Sequence, residues 1–379
     1  MIDIKEIEKK YEEVKNNLAR RGYILDEKII QMYKKIKNLN MKMEEINTLL
    51  NQGKGTKELK EEFAQIKNEK NILETIYLEK YHMIPNLLCD TVPNGEGAED
   101  NVELKVVGQK GQTNKGYMDI AKNNGLNIEA GVDLAHARFN VMNGNVAKLH
   151  RRLINKALDI YEKNGYEFHY VPDLVNEKAM FGTGQFPKFK DDLFKTEDGL
   201  YLIPTGEVPL TNLVNNQIIE EDRVERKLMT HTPCFRKEVG AYGKDTKGII
   251  RQHQFEKVEL VRICLPENGL KNFNEMVNDI ECFVKELGLT YRVIELCAKD
   301  IGFSGHKAYD FEVWFPHEQT WREIATVTWC FDFQARRMNT KLKRKHKKKE
   351  FVHTLNGTGL AVGRVMACLI ETFGEDAFK

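Results

Sequence analysis

The sequence predicts an α+β protein, with an N-terminal antiparallel helical hairpin preceding a mostly antiparallel sheet flanked by helices. Three observations carry the prediction. Apolar residues between Asp26 and Leu50 recur in alternating steps of three and four, the mark of a helical seam. No proline occurs before Pro85. Beyond Asp133, short β-rich runs alternate with helical stretches at irregular spacing, without the regular rhythm of a parallel sheet.

Residues 1–85 read almost entirely as helix, rich in Lys, Glu, Ile, Leu and Asn. The first seam is Ile29, Met32, Ile36, Leu39, Met43, Ile46 and Leu50. It breaks at Gly53-Lys54-Gly55, because glycine readily takes the left-handed conformations that end helices. A second helix then carries Leu59, Phe63, Ile66, Leu73 and Ile76. Two helices of about 25 residues, rising about 1.5 Å per residue, predict a coiled-coil arm of roughly 37 Å. Such a stripe is structural far more often than catalytic. Pro85 ends the helical zone. Residues 86–116, with Pro93-Asn94-Gly95 and Gly108-Gln109-Lys110-Gly111, read as a connector with little regular structure. Residues 117–379 make the second domain. Its helical stretches are 145–163, 270–287 and 359–373, and its strands include Tyr201-Leu202-Ile203, Val258-Glu259-Leu260-Val261 and Phe311-Glu312-Val313-Trp314.

Composition bounds the function. A chain of 379 residues with 41% hydrophobic and 30% charged residues fits a soluble globular protein of two domains. Lys+Arg of 58 against Asp+Glu of 57 gives a net charge of +1, so global charge does not point to a nucleic acid. One local basic run, Lys341 to Lys349, is either a solvated loop or a phosphate-contacting patch. The seven cysteines are scattered without zinc spacing, a pattern of buried or free thiols in a reducing compartment. The N-terminus lacks the apolar core of a signal peptide, and no run of about 18 apolar residues offers a membrane span. Cytoplasm, and no membrane partner, is the expectation.

Neither a P-loop nor a dinucleotide fingerprint is present. The informative block runs from Phe235 to Glu259: a strand, a polar loop bearing Gly240, Gly243 and Gly248, and a returning strand. Arg236 and Glu238 lie two apart, which in a strand places them on one face; Arg251, Phe255 and Glu259 share parity on the return. Burying two arginines, an aromatic ring and two carboxylates together requires partners. A nucleotide with its magnesium supplies them.

This block resembles motif 2 of class II aminoacyl-tRNA synthetases, in detail the seryl family. Phe181-Gly182-Thr183-Gly184-Gln185-Phe186-Pro187-Lys188, Thr205-Gly206-Glu207-Val208-Pro209-Leu210 and Asp332-Phe333-Gln334-Ala335-Arg336-Arg337 join it. His353 to Arg364 (HTLNGTGLAVGR) resembles motif 3. The likeness spans about Asp133 to Glu371, and the N-terminal zone resembles the same family's tRNA-binding arm more loosely.

The resemblance implies activation of serine, or a similar small amino acid, by ATP and transfer to tRNA. Arg236 would contact the α-phosphate and serve catalysis together with Arg364. Glu238 would accept from the adenine amino group, and Phe255 would stack on the ring. Arg251 and Arg364 would hold the outer phosphates, and Glu323 with Thr326 would carry Mg2+. Thr205, Glu207, Glu259 and Thr358 would receive the amino acid. Leu153 to Val171 resembles motif 1 and implies a homodimer. His253 and Trp314 read as packing residues.

Departures gather at the substrate contacts. The family's Thr-Ala-Glu is here Thr205-Gly206-Glu207, its Glu-Ile-Ser-Ser-Cys-Ser-Asn is Glu323-Ile324-Ala325-Thr326-Val327-Thr328-Trp329, and its Asn-Gly-Ser is Asn356-Gly357-Thr358. The extra methyl of Thr358 matters by about 1 kcal/mol in a close-packed pocket, and Gly206 is expected to make compensating room. The arm is shorter than usual by roughly three heptads. Three readings follow: a serine–tRNA ligase, a paralogue passing its adenylate's acyl group to another acceptor, and a silent binding homologue. The retained Arg236, Glu238, Arg251, Glu323 and Arg364 argue against the last.

Overall fold

The computed structural model of the chain describes residues 1–239 and 248–379. Two compact units emerge, Met1–Leu87 and Leu88–Lys379. Gly240 and Gly243 of the anticipated loop lie outside the described residues.

The first unit holds α1 (Ile4–Lys9), α2 (Tyr11–Ala19), α3 (Lys28–Asn51) and α4 (Lys57–His82). The expected near-continuous helix is interrupted at residues 20–27, where Gly22 takes a left-handed φ of 72°. That break folds α1 and α2 back, so that Ile7, Val14, Leu18, Leu25 and Ile29 bury together with Tyr77 and Tyr81. Farther out, Leu39, Ile46 and Ile66 make a second cluster with Met43, Leu50, Leu59 and Phe63. Ile76, expected in the seam, is exposed, and its neighbour Tyr77 is buried instead. Gly53, at φ 75°, stops α3, and the Thr56 hydroxyl accepts from Leu59 N at 3.2 Å to start α4.

In the second unit eight strands form one sheet: β1 (Val102–Val107), β2 (Glu167–Phe168), β3 (Arg226–Phe235), β4 (Gln254–Cys264), β5 (Tyr291–Glu295), β6 (Lys307–Phe315), β7 (Thr320–Phe331) and β8 (His353–Ala361). Their order across the sheet is β1-β5-β6-β7-β8-β4-β3-β2. Neighbours are antiparallel except β2 and β3. Two expectations are corrected here. The connector contributes β1, which gains its ladder from β5 at the sheet edge. Residues 359–361 close β8, and the helix begins only at Val362.

Three helices, α5 (Gly144–Lys163), α6 (Gly269–Glu286) and α7 (Val362–Phe373), cover one face of the sheet. Leu153 and Tyr161 of α5, Met276 and Ile280 of α6, and Met366 and Ile370 of α7 pack on Val258, Leu260, Phe311, Val327 and Leu355. Each such buried aliphatic chain stabilises the fold by about 1.5–3 kcal/mol. Arg262 is the charged intruder on this face. Fully buried, it donates to Tyr166 Oη at 2.9 Å, Asn272 Oδ1 at 3.1 Å, Glu275 at 2.7 Å and Asp279 at 2.6 Å.

The period of two in a strand sends alternate residues the other way. Lys257 and Glu259, on either side of Val258, therefore leave the helix-covered core for the opposite face. In the basic run, Lys341–Lys343 pairs with Ile218–Glu220, and Arg344 is held by Glu221, Glu267 and Glu350. No disulfide joins the cysteines. Among the described residues no helix is long and apolar enough to cross a membrane.

Candidate active site

The free face of β3, β4, β8, β7 and β6 carries a row of polar side chains. Cross-strand pairing aligns Thr230 with Glu259 and Glu259 with Thr358. Farther along, Thr328 stands opposite Asn356 and Thr326 opposite Asp310. By parity these residues share one face.

Glu323 joins them through an irregularity. Phe311 pairs with Ala325, but the next pair is Glu312 with Glu323, so Ile324 is an extra residue on β7. Without that bulge Glu323 would turn with Ala325 into the core; with it the carboxylate re-emerges on the polar face.

Arg236, Glu238, Arg251, Phe255, Glu323, Thr358 and Arg364 line one open cleft. Residue parity explains Phe255 but not Arg236, Glu238 or Arg251, since Arg251 precedes β4. β3 ends at Phe235, and Glu238 reaches the cleft from a left-handed backbone at φ 54°. Asp192 fixes this segment: its backbone O accepts from Lys237 N at 2.9 Å, and its side chain accepts from Val239 N at 2.9 Å.

Inside the cleft, Arg251 Nη1 lies 2.6 Å from Glu238 Oε2. Arg236 stacks over Phe255 at 5.2 Å and donates Nε to Pro204 O at 3.2 Å. Arg364 Nη1 is 3.3 Å from Glu323 Oε1 and donates to Glu323 O at 3.0 Å. The Thr326 hydroxyl donates to Glu323 Oε1 at 3.4 Å. The surrounding cleft desolvates Glu323 in part and works against its ionisation, but Arg364 and Arg236 overcome this and hold its carboxyl below the ordinary value. Asp310 is the opposite case. Burial, then the Glu323 charge, push its carboxyl well up, and its buried Oδ1 has no hydrogen-bond partner. Glu323, Thr326 and Asp310 thus offer hard oxygen donors, one of them unsatisfied, which suits Mg2+.

Thr205, Glu207 and Glu259 are joined to the cleft through Lys257, which lines it. Lys257 Nζ donates to Thr205 Oγ1 at 2.7 Å and pairs with Glu259. Glu207 Oε1 accepts from Gln334 Nε2 at 2.6 Å and Asn356 Nδ2 at 2.9 Å, and Thr354 donates to Gln334 Oε1 at 2.7 Å. Burial and the nearby Glu259 raise the Glu207 carboxyl to about 7, against the pull of Gln334, Lys257 and Arg236. Burial also raises Glu259, against Lys257, Thr205 and Arg236.

A Cβ on Gly206 would lie 2.6 Å from Thr230 Cγ2, 3.1 Å from Glu259 Cβ and 3.5 Å from Thr232 Oγ1. The space left by the missing methyl is therefore filled by Thr230. It does not open room for Thr358, as the sequence had suggested.

His253 accepts its expected packing role, lying between Phe139 and Phe194 with Nδ1 2.9 Å from Arg236 O. Trp314 packs edge-on against Trp321. Sequence reasoning named neither Lys257 nor Asp310, although each lies two residues from a same-face carboxylate, Glu259 and Glu312. Asp192 carried no signal, because its partners come from a distant segment.

An antiparallel sheet backed by three helices, with arginines and carboxylates gathered on its free face, is the core of a class II tRNA synthetase. The family model for the tRNA synthetase class II core domain (G, H, P, S and T) matches residues 188–373. The chain is 41% identical to a serine–tRNA ligase of Francisella philomiragia, over 99% of this chain and 95% of that protein. A serine–tRNA ligase of a Hydrogenobaculum species is 42% identical over 98% of this chain and 95% of its own length. Among solved structures, the seryl-tRNA synthetase of Pyrococcus horikoshii complexed with ATP superimposes with a TM-score of 0.86. That match has 29% identity and covers 99% of this chain and 95% of that one. The chain belongs to the serine–tRNA ligase family.

Proposed function

We propose that the chain activates serine with ATP to seryl-adenylate, releases pyrophosphate and transfers the seryl group to tRNA. The observation that carries this reading is the convergence of Arg236, Arg251 and Arg364 with Glu238 and Glu323 on one cleft, beside a buried pocket of two carboxylates. The serine carboxylate is already ionised at neutral pH and is itself the nucleophile, so the site needs positioning and charge neutralisation rather than a strong base. A carboxylate oxygen of serine attacks the α-phosphorus, and the bond from that phosphorus to the α,β-bridging oxygen breaks, so that the β- and γ-phosphates leave together as pyrophosphate.

Arg236 sits at the α-phosphate, where its planar fork suits phosphate oxygens better than a lysine would. Arg251 leaves Glu238 for the outer phosphates, which Arg364 also holds. Glu238 is then free to accept from the adenine amino group, with Phe255 stacking on the ring. Glu207 and Glu259 receive the serine ammonium and hydroxyl, aided by Thr205 and Thr358. Glu323 and Thr326, with Asp310 beside them, hold Mg2+, which when bound offsets the phosphate charge.

The hairpin of α3 and α4 is the coiled-coil arm that meets tRNA. Phe168 is 42% and Tyr170 is 94% exposed within the motif 1 segment. Such aromatic exposure supports a homodimer through that surface, and light scattering of the purified chain tests it. A cytoplasmic setting follows from this role in translation. Serine-dependent ATP–pyrophosphate exchange, run beside the other common amino acids, tests activation; charging of tRNA tests transfer. Exchange with serine but no charged tRNA would leave the paralogue reading standing.

A further inference from the structure

Gly206 is a glycine for reasons of space. Its backbone sits at φ −62° and ψ −16°, an ordinary right-handed conformation open to any residue. What forbids a side chain is the floor beneath it: Thr230 Cγ2 at 2.6 Å and Glu259 Cβ at 3.1 Å from where a Cβ would stand. Thr230 is fully buried on β3. It is paired across the ladder with Glu259, whose other neighbour is Thr358. Glu259 is thereby flanked by two β-branched side chains and roofed by Gly206.

We propose that Gly206 and Thr230 are an interlocked positioning pair that sets the depth of the amino-acid pocket. Resting directly on Thr230 and Glu259, the 205–207 segment places the Thr205 hydroxyl 2.7 Å from Lys257 Nζ and Glu207 Oε1 2.9 Å from Asn356 Nδ2. Ordinary contact for a Cβ begins at 3.4 Å, so a methyl at 206 must open the 2.6 Å approach by about 0.8 Å. Rotating Thr230 relieves only part of this, because Glu259 Cβ is fixed to the backbone. A lift of that size takes both hydrogen bonds out of range. Thr230 is thus as much a determinant of serine binding as the residues that touch serine, and it acts through them.

This inference rests on the reading that Thr205, Glu207 and Glu259 receive serine. The test is pyrophosphate exchange by the full chain as wild type, Gly206→Ala, Thr230→Ala and the double variant, with KM and kcat read separately for serine and ATP. Gly206→Ala is expected to raise the serine KM roughly 10- to 100-fold, the scale of a misplacement near 1 Å, with the ATP KM unchanged. The double variant is expected to recover most of that loss, and Thr230→Ala alone to raise the serine KM several-fold by letting the segment settle.

A wild-type serine KM in Gly206→Ala overturns the inference, even where its melting temperature falls, since that is what a purely structural role gives. A double variant no better than Gly206→Ala overturns it too. If Gly206→Ala does not fold, an unchanged serine KM in Thr230→Ala does so. Absence of serine-dependent exchange in the wild type would instead defeat the underlying reading.

Discussion

Raising the pH from 6 to 8 should tighten serine binding, and Glu207→Gln should abolish the effect. Glu207 is buried and faces a second carboxylate, Glu259, as well as Lys257, Arg236, Gln334 and Asn356. Burial and Glu259 raise it from 4.5 to about 7, so near neutral pH about half of the free enzyme holds this group protonated. The ammonium of serine brings the opposite charge into contact and favours the carboxylate. Binding then expels the proton, and the serine KM falls roughly tenfold between pH 6 and pH 8 before levelling off. Calorimetry in buffers of different ionisation enthalpy should find up to about one proton released per serine below pH 7 and none well above it.

The same group acts on stability with a definite sign. The folded chain holds the proton more tightly than the unfolded one, so the contribution is present below 4.5 and is lost as pH rises through about 7. The size is on the order of 3 kcal/mol. Glu207→Gln should flatten this part of the stability profile. A serine KM independent of pH in the wild type, with no proton release, would refute the reasoning.

Arg236→Ala should cut pyrophosphate exchange by about 100- to 1,000-fold with the melting temperature kept, and Arg236→Lys should recover little, because a point charge does not reproduce the planar fork; steady-state exchange rates decide both. Glu323→Gln should raise the Mg2+ concentration needed for half-maximal exchange and weaken Mg2+-dependent ATP binding measured by calorimetry. Shortening α3 and α4 by two heptads should leave exchange intact while raising the KM for tRNA and flattening its salt dependence, as measured by charging at several ionic strengths. Arg262→Ala leaves Glu275 and Asp279 facing a buried void and should cost about 3–5 kcal/mol, read from the urea midpoint.

The helical hairpin was legible because its seam is local: spacing, a glycine stop and a proline stop lie within the same eighty-odd residues. The central strands were legible for a related reason, since Val258, Glu259 and Leu260 alternate apolar and polar side chains as the two faces of a strand require. What escaped depended on partners far along the chain. β1 shows no alternation of burial and becomes a strand only because β5 offers an edge. Ile76 and Tyr77 exchanged places because the seam is completed by α1 and α2, which fold back on α4. Glu238 could not be placed by strand parity, since the strand stops three residues earlier and Asp192 decides the path. Lys257 and Asp310 obeyed parity and could have been found from it.

The bulge at Ile324 has a consequence for how this enzyme tolerates change. Taking Ile324 out would bring Ala325 next to Glu323 and leave an uninterrupted ladder, in which Glu323 still lies opposite Glu312 and keeps the polar face. Such a deletion gives up one buried aliphatic chain, so its cost falls on stability and not on the acidic group. Straightening β7 at unchanged length would do the reverse, keeping every residue and turning Glu323 inward. A deletion scan along this stretch should therefore find Ile324 to be the residue whose loss the catalytic centre tolerates best.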